Sequence, residues 1–142
     1  MGYLLFGVQC IAMFGCVFPL QWHWPHPVPM ALIALALGWL VWVIMFNRMG
    51  NWSVFPKPLD HAILVTNGPY RFTRHPMYSG VMLVCLAMTL HNLTFSALLS
   101  WAILVLTLNI KARYEERLLR RSFADYEGYC RETRNRFIPS WF

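Results

Sequence analysis

Charged residues are scarce in this chain and unevenly placed. Only 13% of the 142 residues are charged, whereas soluble domains carry about 25%. No charged residue precedes Arg48, and hydrophobic residues make up 58% of the chain. This composition favours an integral membrane protein over a soluble helical bundle, because no apolar segment carries a polar face at the helical period of 3.6 residues.

Paired cysteines and metal-ligand spacings are also lacking. The four cysteines form no CxxC pair, and the five histidines do not fall at the spacing of metal ligands. Neither a disulfide framework nor a metal site is therefore expected. The beginning of the chain has no basic n-region and no small-residue cleavage site, so its first apolar run is predicted to be a retained helix rather than a signal peptide.

Four apolar segments are predicted to be helices that cross the membrane: Tyr3–Leu20, Met30–Phe46, about Ser79–Leu90 and about Leu93–Ile110. A crossing needs about 20 apolar residues, within a tolerated range of about 17–25. The third segment is short, so its helix is expected to begin near Pro76. His91-Asn92 is predicted to be a tight turn. The predicted fold is an all-α integral membrane protein with about four transmembrane helices, a C-terminal helical hairpin and a cytoplasmic helical tail.

Basic residues mark the side of the membrane on which the loops lie. All twelve Lys and Arg fall between the second and third segments or after the fourth, and residues 21–29 and 91–92 contain none. Under the positive-inside rule both termini are expected to be cytoplasmic. The net charge of +6 is interpreted as topology and contact with anionic head groups rather than nucleic-acid binding. One membrane domain is predicted over 1–142, with two N-terminal spans in 1–46, a cytoplasmic connector in 47–78, a hairpin in 79–110 and a tail in 111–142.

The polar stretch at 67–80, NGPYRFTRHPMYSG, lies between two long apolar runs. Its Asn-Gly-Pro start is a turn signal, and Pro76 suits the first turn of the third helix. His75 would then lie at a helix entrance, where free backbone amides and the helix dipole favour an anionic group. The alternative is that Arg71 and Arg74 merely anchor a helix end.

Two carboxylates, Glu115 and Glu116, follow the fourth segment. The hairpin is expected to return them to the side of His75 and Tyr78. Glu116 is interpreted as the structural partner of Arg120, because residues four apart on a helix form ion pairs. Glu115 is predicted to be the carboxylate that meets a ligand cation.

The order LVTNGPYRFTRHPMYSG, then EERLL, then YEGYCRETRNRFIP resembles the isoprenylcysteine carboxyl methyltransferase family, which groups loosely with the phospholipid methyltransferases. The resemblance covers roughly residues 61–139. It implies a multi-pass enzyme that binds S-adenosylmethionine at its cytosolic face and takes a lipid-like or small hydrophobic acceptor from the bilayer.

The resemblance also assigns residues to the site. The family has an arginine one turn before the glutamate, thought to meet the acceptor; here Lys111 stands there, with Arg113 two residues along, and these two are predicted to act on the acceptor. Lysine lacks the fork that arginine offers a carboxylate, so the acceptor is left open. The residues implied to bind the cofactor include a strand-like lead-in at 63–65 and are His61, Ile63, Leu64, Val65, Tyr70, His75, Pro76, Met77, Tyr78 and Glu115.

Two other functions stay open at this point. Membrane sterol-type reductases share a related HPxY-bearing core and bind NADPH there, and a non-enzymatic membrane protein with a lipid-binding basic tail is the third possibility. The acceptor of a methyltransferase could be a prenylated cysteine, a phospholipid amine, a small thiol or another lipid. Short loops favour a prokaryotic inner membrane as the location.

Overall fold

The computed structural model describes residues 2–18, 26–47 and 64–138. All regular secondary structure in these ranges is helical, which confirms the all-α prediction. His61 and Ile63 lie outside the described residues. The helices are α1 (Gly2–Val17), α2 (Pro27–Phe46), α3 (Pro76–Asn92), α4 (Phe95–Ser122) and α5 (Tyr126–Glu132), with a 3₁₀ turn at Gly68–Arg71.

The turn between α3 and α4 lies two residues later than predicted. His91 and Asn92 still belong to the last turn of α3, so the prediction of a turn there is wrong. The reversal is made by Leu93, whose φ of 43° is left-handed, and Thr94, whose Oγ1 accepts a hydrogen bond from the amide of Ala97. Asn92 remains helical while its amide donates to two carbonyls at the end of α1, where a helix has no partners of its own.

Two helices, α2 and α4, are long and apolar enough to cross a membrane, and α1 is a shorter apolar helix of 16 residues. At 1.5 Å per residue α1 is about 24 Å long, against a hydrocarbon core of about 30 Å. Large apolar side chains such as Ile11, Leu35 and Met45 are mostly exposed, as lipid-facing side chains are. Four crossings stay a prediction.

The helices pack through small and medium side chains. α1 lies against α3 and α4, and α2 lies against α3. The core cluster comprises Ala12, Cys16, Cys85, Leu104 and Leu108. Small side chains let helix backbones approach closely, which is how helices associate within lipid. This packing holds α3 and α4 as an antiparallel pair and so fixes which ends of the two helices meet.

Gly15 of α1 tests the importance of this close approach. A Cβ placed there would meet the Ser100 hydroxyl of α4 and would lie 3.0 Å from the Ser100 Cβ. We expect Gly15→Val to destabilise the protein by about 1–3 kcal/mol, the usual cost of overpacking. Thermal unfolding in detergent measures this. Gly7→Val is the control, because nothing lies within 4 Å of a Cβ at that position of the same helix; equal losses in both variants would contradict the packing argument.

Candidate active site

The polar motif lies at the entrance of α3. The 3₁₀ turn at Gly68–Arg71 starts with a left-handed φ of 60° at Gly68, which agrees with the predicted turn signal. His75 precedes α3 in a non-helical conformation, and Pro76 takes the first helical position. The indole of Trp39 in α2 donates a hydrogen bond of 2.8 Å to the Pro76 carbonyl. The entrance is therefore fixed by α2 as well as by its own sequence.

His75, Tyr78 and Glu115 form a contiguous group. The rings of His75 and Tyr78 stack with their centroids 5.3 Å apart and an interplanar angle of 7°. Tyr78 Oη donates a hydrogen bond of 2.9 Å to Glu115 Oε2, and His75 Nδ1 lies 3.7 Å from the same oxygen. The hairpin thus returns Glu115 to the His75–Tyr78 step, as the sequence predicted.

Burial distinguishes the members of this group. The Glu115 side chain is 30% exposed, whereas the His75 side chain is only 6% exposed. His75 Nε2 lies 3.5 Å from Glu116 Oε1 but has no hydrogen-bond partner among the described residues. The site therefore combines a carboxylate that a ligand can reach with a buried imidazole whose two nitrogens face Glu115 and Glu116.

Glu116 has different partners from the one predicted. The prediction of a Glu116–Arg120 pair is wrong, because Arg120 instead lies 4.0 Å from Glu127. Glu116 Oε1 accepts from Arg74 Nε at 3.0 Å and from Arg136 Nε at 2.9 Å, and Oε2 accepts from Arg136 at 3.0 Å. Glu116 lies on the inward face of α4. It therefore contacts arginines that are distant in sequence and not Arg120, which lies one turn along the helix surface.

Electrostatics keep this buried carboxylate ionised. Burial by itself would raise the pKa of Glu116. The adjacent His75 ring, the hydrogen bonds from Arg136 and the charge of Arg74 outweigh burial and lower that pKa well below its ordinary value. Glu116 is consequently a fixed negative charge around which the basic side chains are organised.

Residues 133–138, here called the closing segment, bind across the entrance of α3. Arg74 Nη1 donates to the carbonyls of Thr133 and Arg134 at 2.7 and 2.8 Å. The backbone amide of His75 donates to the Arg136 carbonyl at 2.9 Å. The Phe137 ring lies 6.1 Å from that of His75 and 6.5 Å from that of Tyr78. The closing segment therefore forms one wall of the candidate site.

Lys111 faces α1 on the other side of Tyr78. Its side chain is buried, and Nζ donates a hydrogen bond of 3.0 Å to Gln9 Oε1. The ammonium also lies 5.9 Å from the Phe6 ring centroid and 5.4 Å from the Tyr78 ring centroid. Arg113, the other residue predicted to act on the acceptor, is exposed on a different face of α4.

The remaining predicted residues lie around the same entrance. Burial and the negative charge of Glu115 raise the pKa of Tyr70 to about 12, and the Tyr70 carbonyl accepts a hydrogen bond from Tyr129 at 2.7 Å. Met77 Sδ accepts a long hydrogen bond of 3.8 Å from the side-chain amide of Asn47. Leu64 and Val65 are half-buried in an irregular segment, so a strand at this lead-in is not formed there.

Sequence reasoning missed Gln9 and Phe6 of α1 and the ring of Phe137. A signal for Gln9 was present, since it is an amide within an otherwise apolar helix. Polar side chains within membrane segments are costly and mostly functional. Phe137 belonged to the RFIP piece of the motif, but nothing in that piece indicated a contact with His75.

Comparison with known proteins identifies relatives of this chain. A family model described as phospholipid methyltransferase matches residues 27–126. The chain is also similar to the nickel-cobalt-cadmium resistance protein NccN of Alcaligenes xylosoxydans xylosoxydans, with 36% identity over 72 residues. That match covers 49% of this chain and 33% of the relative, so the chain spans about a third of the relative's length.

Proposed function

Because this membrane protein belongs to the phospholipid methyltransferase family, we propose that it transfers a methyl group from S-adenosylmethionine to a lipid-like acceptor at the cytosolic membrane face. The observation that best supports this proposal is the position of the Glu115 carboxylate. It accepts a hydrogen bond from Tyr78, lies beside His75 and is still 30% exposed. Among the described residues His75 Nε2 also lacks a hydrogen bond. A partly exposed carboxylate held beside an imidazole ring suits the cationic part of S-adenosylmethionine.

Each residue of this group has a role that its contacts support. Glu115 would bind a cationic part of the cofactor, either the amino group or the sulfonium, with Tyr78 fixing the carboxylate rotamer. His75 would bind the cofactor's carboxylate, and Tyr70 would pack on the adenosine or methionine portion. S-adenosylmethionine supplies an activated methyl group when bound. The protein then has to orient the reactants, and orientation alone contributes about 7–11 kcal/mol in well-aligned reactions.

The closing segment and Lys111 are proposed to have different roles, water exclusion for the first and acceptor binding for the second. The closing segment, through Phe137, would shield the His75–Tyr78 pair from solvent on one side. Lys111 would meet the acceptor on the other, and the exposed Arg113 would attract an anionic acceptor towards the membrane surface. An ionised carboxylate or thiolate acceptor needs no base, whereas a thiol or amine must first lose a proton.

The proposal includes the topology predicted from charge. Four crossings with both termini in the cytoplasm would bring 67–80 and 111–138 to one membrane face. The absence of Lys and Arg from 21–29 and 91–92 supports this orientation. A prokaryotic inner membrane is the proposed location.

Cofactor retention tests the proposed function directly. Purified full-length protein in lipid nanodiscs is incubated with labelled S-adenosylmethionine or labelled NADPH, and we expect retention of the first. Retention of NADPH alone would indicate a sterol-type reductase, and retention of neither would indicate a non-enzymatic lipid-binding protein. Label from the methyl group, followed into a total lipid and small-molecule extract, then identifies the acceptor and the atom that is methylated.

A further inference from the structure

The Lys111 ammonium is a buried positive charge whose direct contacts are all neutral groups. Its side chain is 5% exposed, and no carboxylate oxygen lies within 4 Å of its Nζ in the described part of the chain. Its observed contacts are the neutral Gln9 oxygen and the faces of two rings. A buried charge is costly unless it is paired. The charge of Glu115, one helical turn along α4, acts on this ammonium without contacting it, so an anionic ligand oxygen could still bind Nζ directly.

The neutral surroundings of the Lys111 ammonium are provided largely by α1. Gln9 and Phe6 both belong to α1, which precedes the segment 27–126 matched by the family model. The Gln9 amide is itself oriented, because its Nε2 contacts Met13 Sδ one helical turn away at 3.9 Å. Gln9 thus presents its oxygen to Lys111 and fixes where the ammonium lies without neutralising it.

Tyr78 contacts both Lys111 and Glu115, the carboxylate proposed to bind the cation of the cofactor. Its hydroxyl binds Glu115, while its ring lies 5.4 Å from Lys111 Nζ. A ligand cation at Glu115 and a ligand anion at Lys111 would therefore both lie next to Tyr78, one at its hydroxyl and the other at its ring. A second cation at the Lys111 side would be repelled, since like charges at about 4 Å repel by about 4 kcal/mol near a protein surface.

We propose that Gln9 is a positioning residue that holds Lys111 ready to bind an anionic oxygen group of the lipid acceptor, a carboxylate or a phosphate. This inference rests on the proposed methyl transfer. It makes α1, rather than the family-matched segment, the element that selects the acceptor. Acceptors with a carboxylate or phosphate near the reacting atom are favoured over uncharged lipids of equal chain length.

The variant Gln9→Glu tests whether Gln9 positions Lys111 for the acceptor or only supports the fold. A glutamate would pair with Lys111, so the thermal unfolding midpoint should stay the same or rise. The same pairing would compete with an anionic acceptor, and KM for that acceptor should rise at least about tenfold, with kcat changed less than about threefold. A purely structural Gln9 predicts no such KM increase in a protein that is equally or more stable.

The acceptor probes are chosen to distinguish the two anion sources. The first probe is an N-acetyl-S-alkyl cysteine, which carries a carboxylate and no phosphate. The second is phosphatidylethanolamine in vesicles, which carries a phosphate. The third is a long-chain alkyl thiol, which carries neither group. We expect the first or the second to be methylated, and to raise the unfolding midpoint of the wild-type protein but not of Gln9→Glu. Gln9→Met, whose thioether is a much weaker acceptor for Lys111 than the amide oxygen, should also raise KM. Ile11→Met on the exposed side of α1 is the control.

Two failures of the inference are distinct from failure of the proposed function. Preferential methylation of the uncharged thiol, or an unchanged KM in both Gln9 variants, would overturn the role of Gln9 while methyl transfer stands. Loss of S-adenosylmethionine retention in the wild-type protein would overturn the proposed function and this inference together.

Discussion

Glu115→Gln is expected to weaken S-adenosylmethionine binding by about 10- to 100-fold. Glutamine can still accept the hydrogen bond from Tyr78 Oη, so the local structure should persist, while the negative charge that faces the ligand is lost. Interactions with charged groups contribute about 1.5–3 kcal/mol, and each 1.4 kcal/mol is about tenfold in affinity. Equilibrium dialysis with labelled cofactor measures the change.

Glu132 provides a matched control for this experiment. It is an exposed glutamate at the end of α5, so Glu132→Gln removes the same charge at a position away from the His75–Tyr78 pair. We expect its affinity to match that of the wild-type protein. Equal affinities in all three proteins would contradict the assignment of Glu115 to the cofactor.

Glu116→Gln is expected to destabilise the protein by about 3–5 kcal/mol, because it leaves the nearly buried Arg74 and the partly exposed Arg136 without their counter-charge. Its side chain is 2% exposed and binds both Arg74 and Arg136. The lowered pKa makes this contribution pH-dependent: it is present above the ordinary value of 4.5 and is lost as the pH falls below it. Thermal unfolding of wild type should therefore show an acid-dependent loss that Glu116→Gln lacks.

Glu127 is the control for the second prediction. Its ion pair with Arg120 is 4.0 Å long, and its side chain is 70% exposed. Exposed pairs contribute about 0–1 kcal/mol, so Glu127→Gln should change the unfolding midpoint little. A Glu116→Gln protein as stable as Glu127→Gln would show that the Arg74–Glu116–Arg136 cluster does not support the fold.

The two adjacent glutamates show what sequence can predict about this site. Sequence placed Glu115 beside His75, because antiparallel helices joined by a short turn must bring those ends together. It assigned Glu116 to Arg120, because spacing along one helix is all that a single sequence displays. The true partners, Arg74 and Arg136, depend on how α4 is rotated relative to α3 and on the path of the closing segment.

The helices themselves were largely predictable, and their rotations were not. Apolar runs and prolines indicated four of the five helices, including the start of α3 at Pro76. α1 is apolar on nearly every side, and a helix without a polar face gives no indication of which side will face its neighbours. The contact of Gln9 with Lys111 could not be derived for that reason.

The closing segment has a consequence for the order of events during synthesis. Thr73 and its carbonyl partner at Arg136 are 63 residues apart, with the whole α3–α4 hairpin made between them. N-terminal parts of a chain are synthesised and begin to fold first, so the His75 amide and the Thr73 hydroxyl are made well before the Arg136 carbonyl that they bind, whereas Glu116 already has Arg74 available. Until the closing segment is made, the entrance of α3 lacks these hydrogen bonds. Under the proposed function, we expect a product that stops before residue 133 to bind S-adenosylmethionine more weakly, because it lacks the wall that Phe137 forms beside His75 and Tyr78.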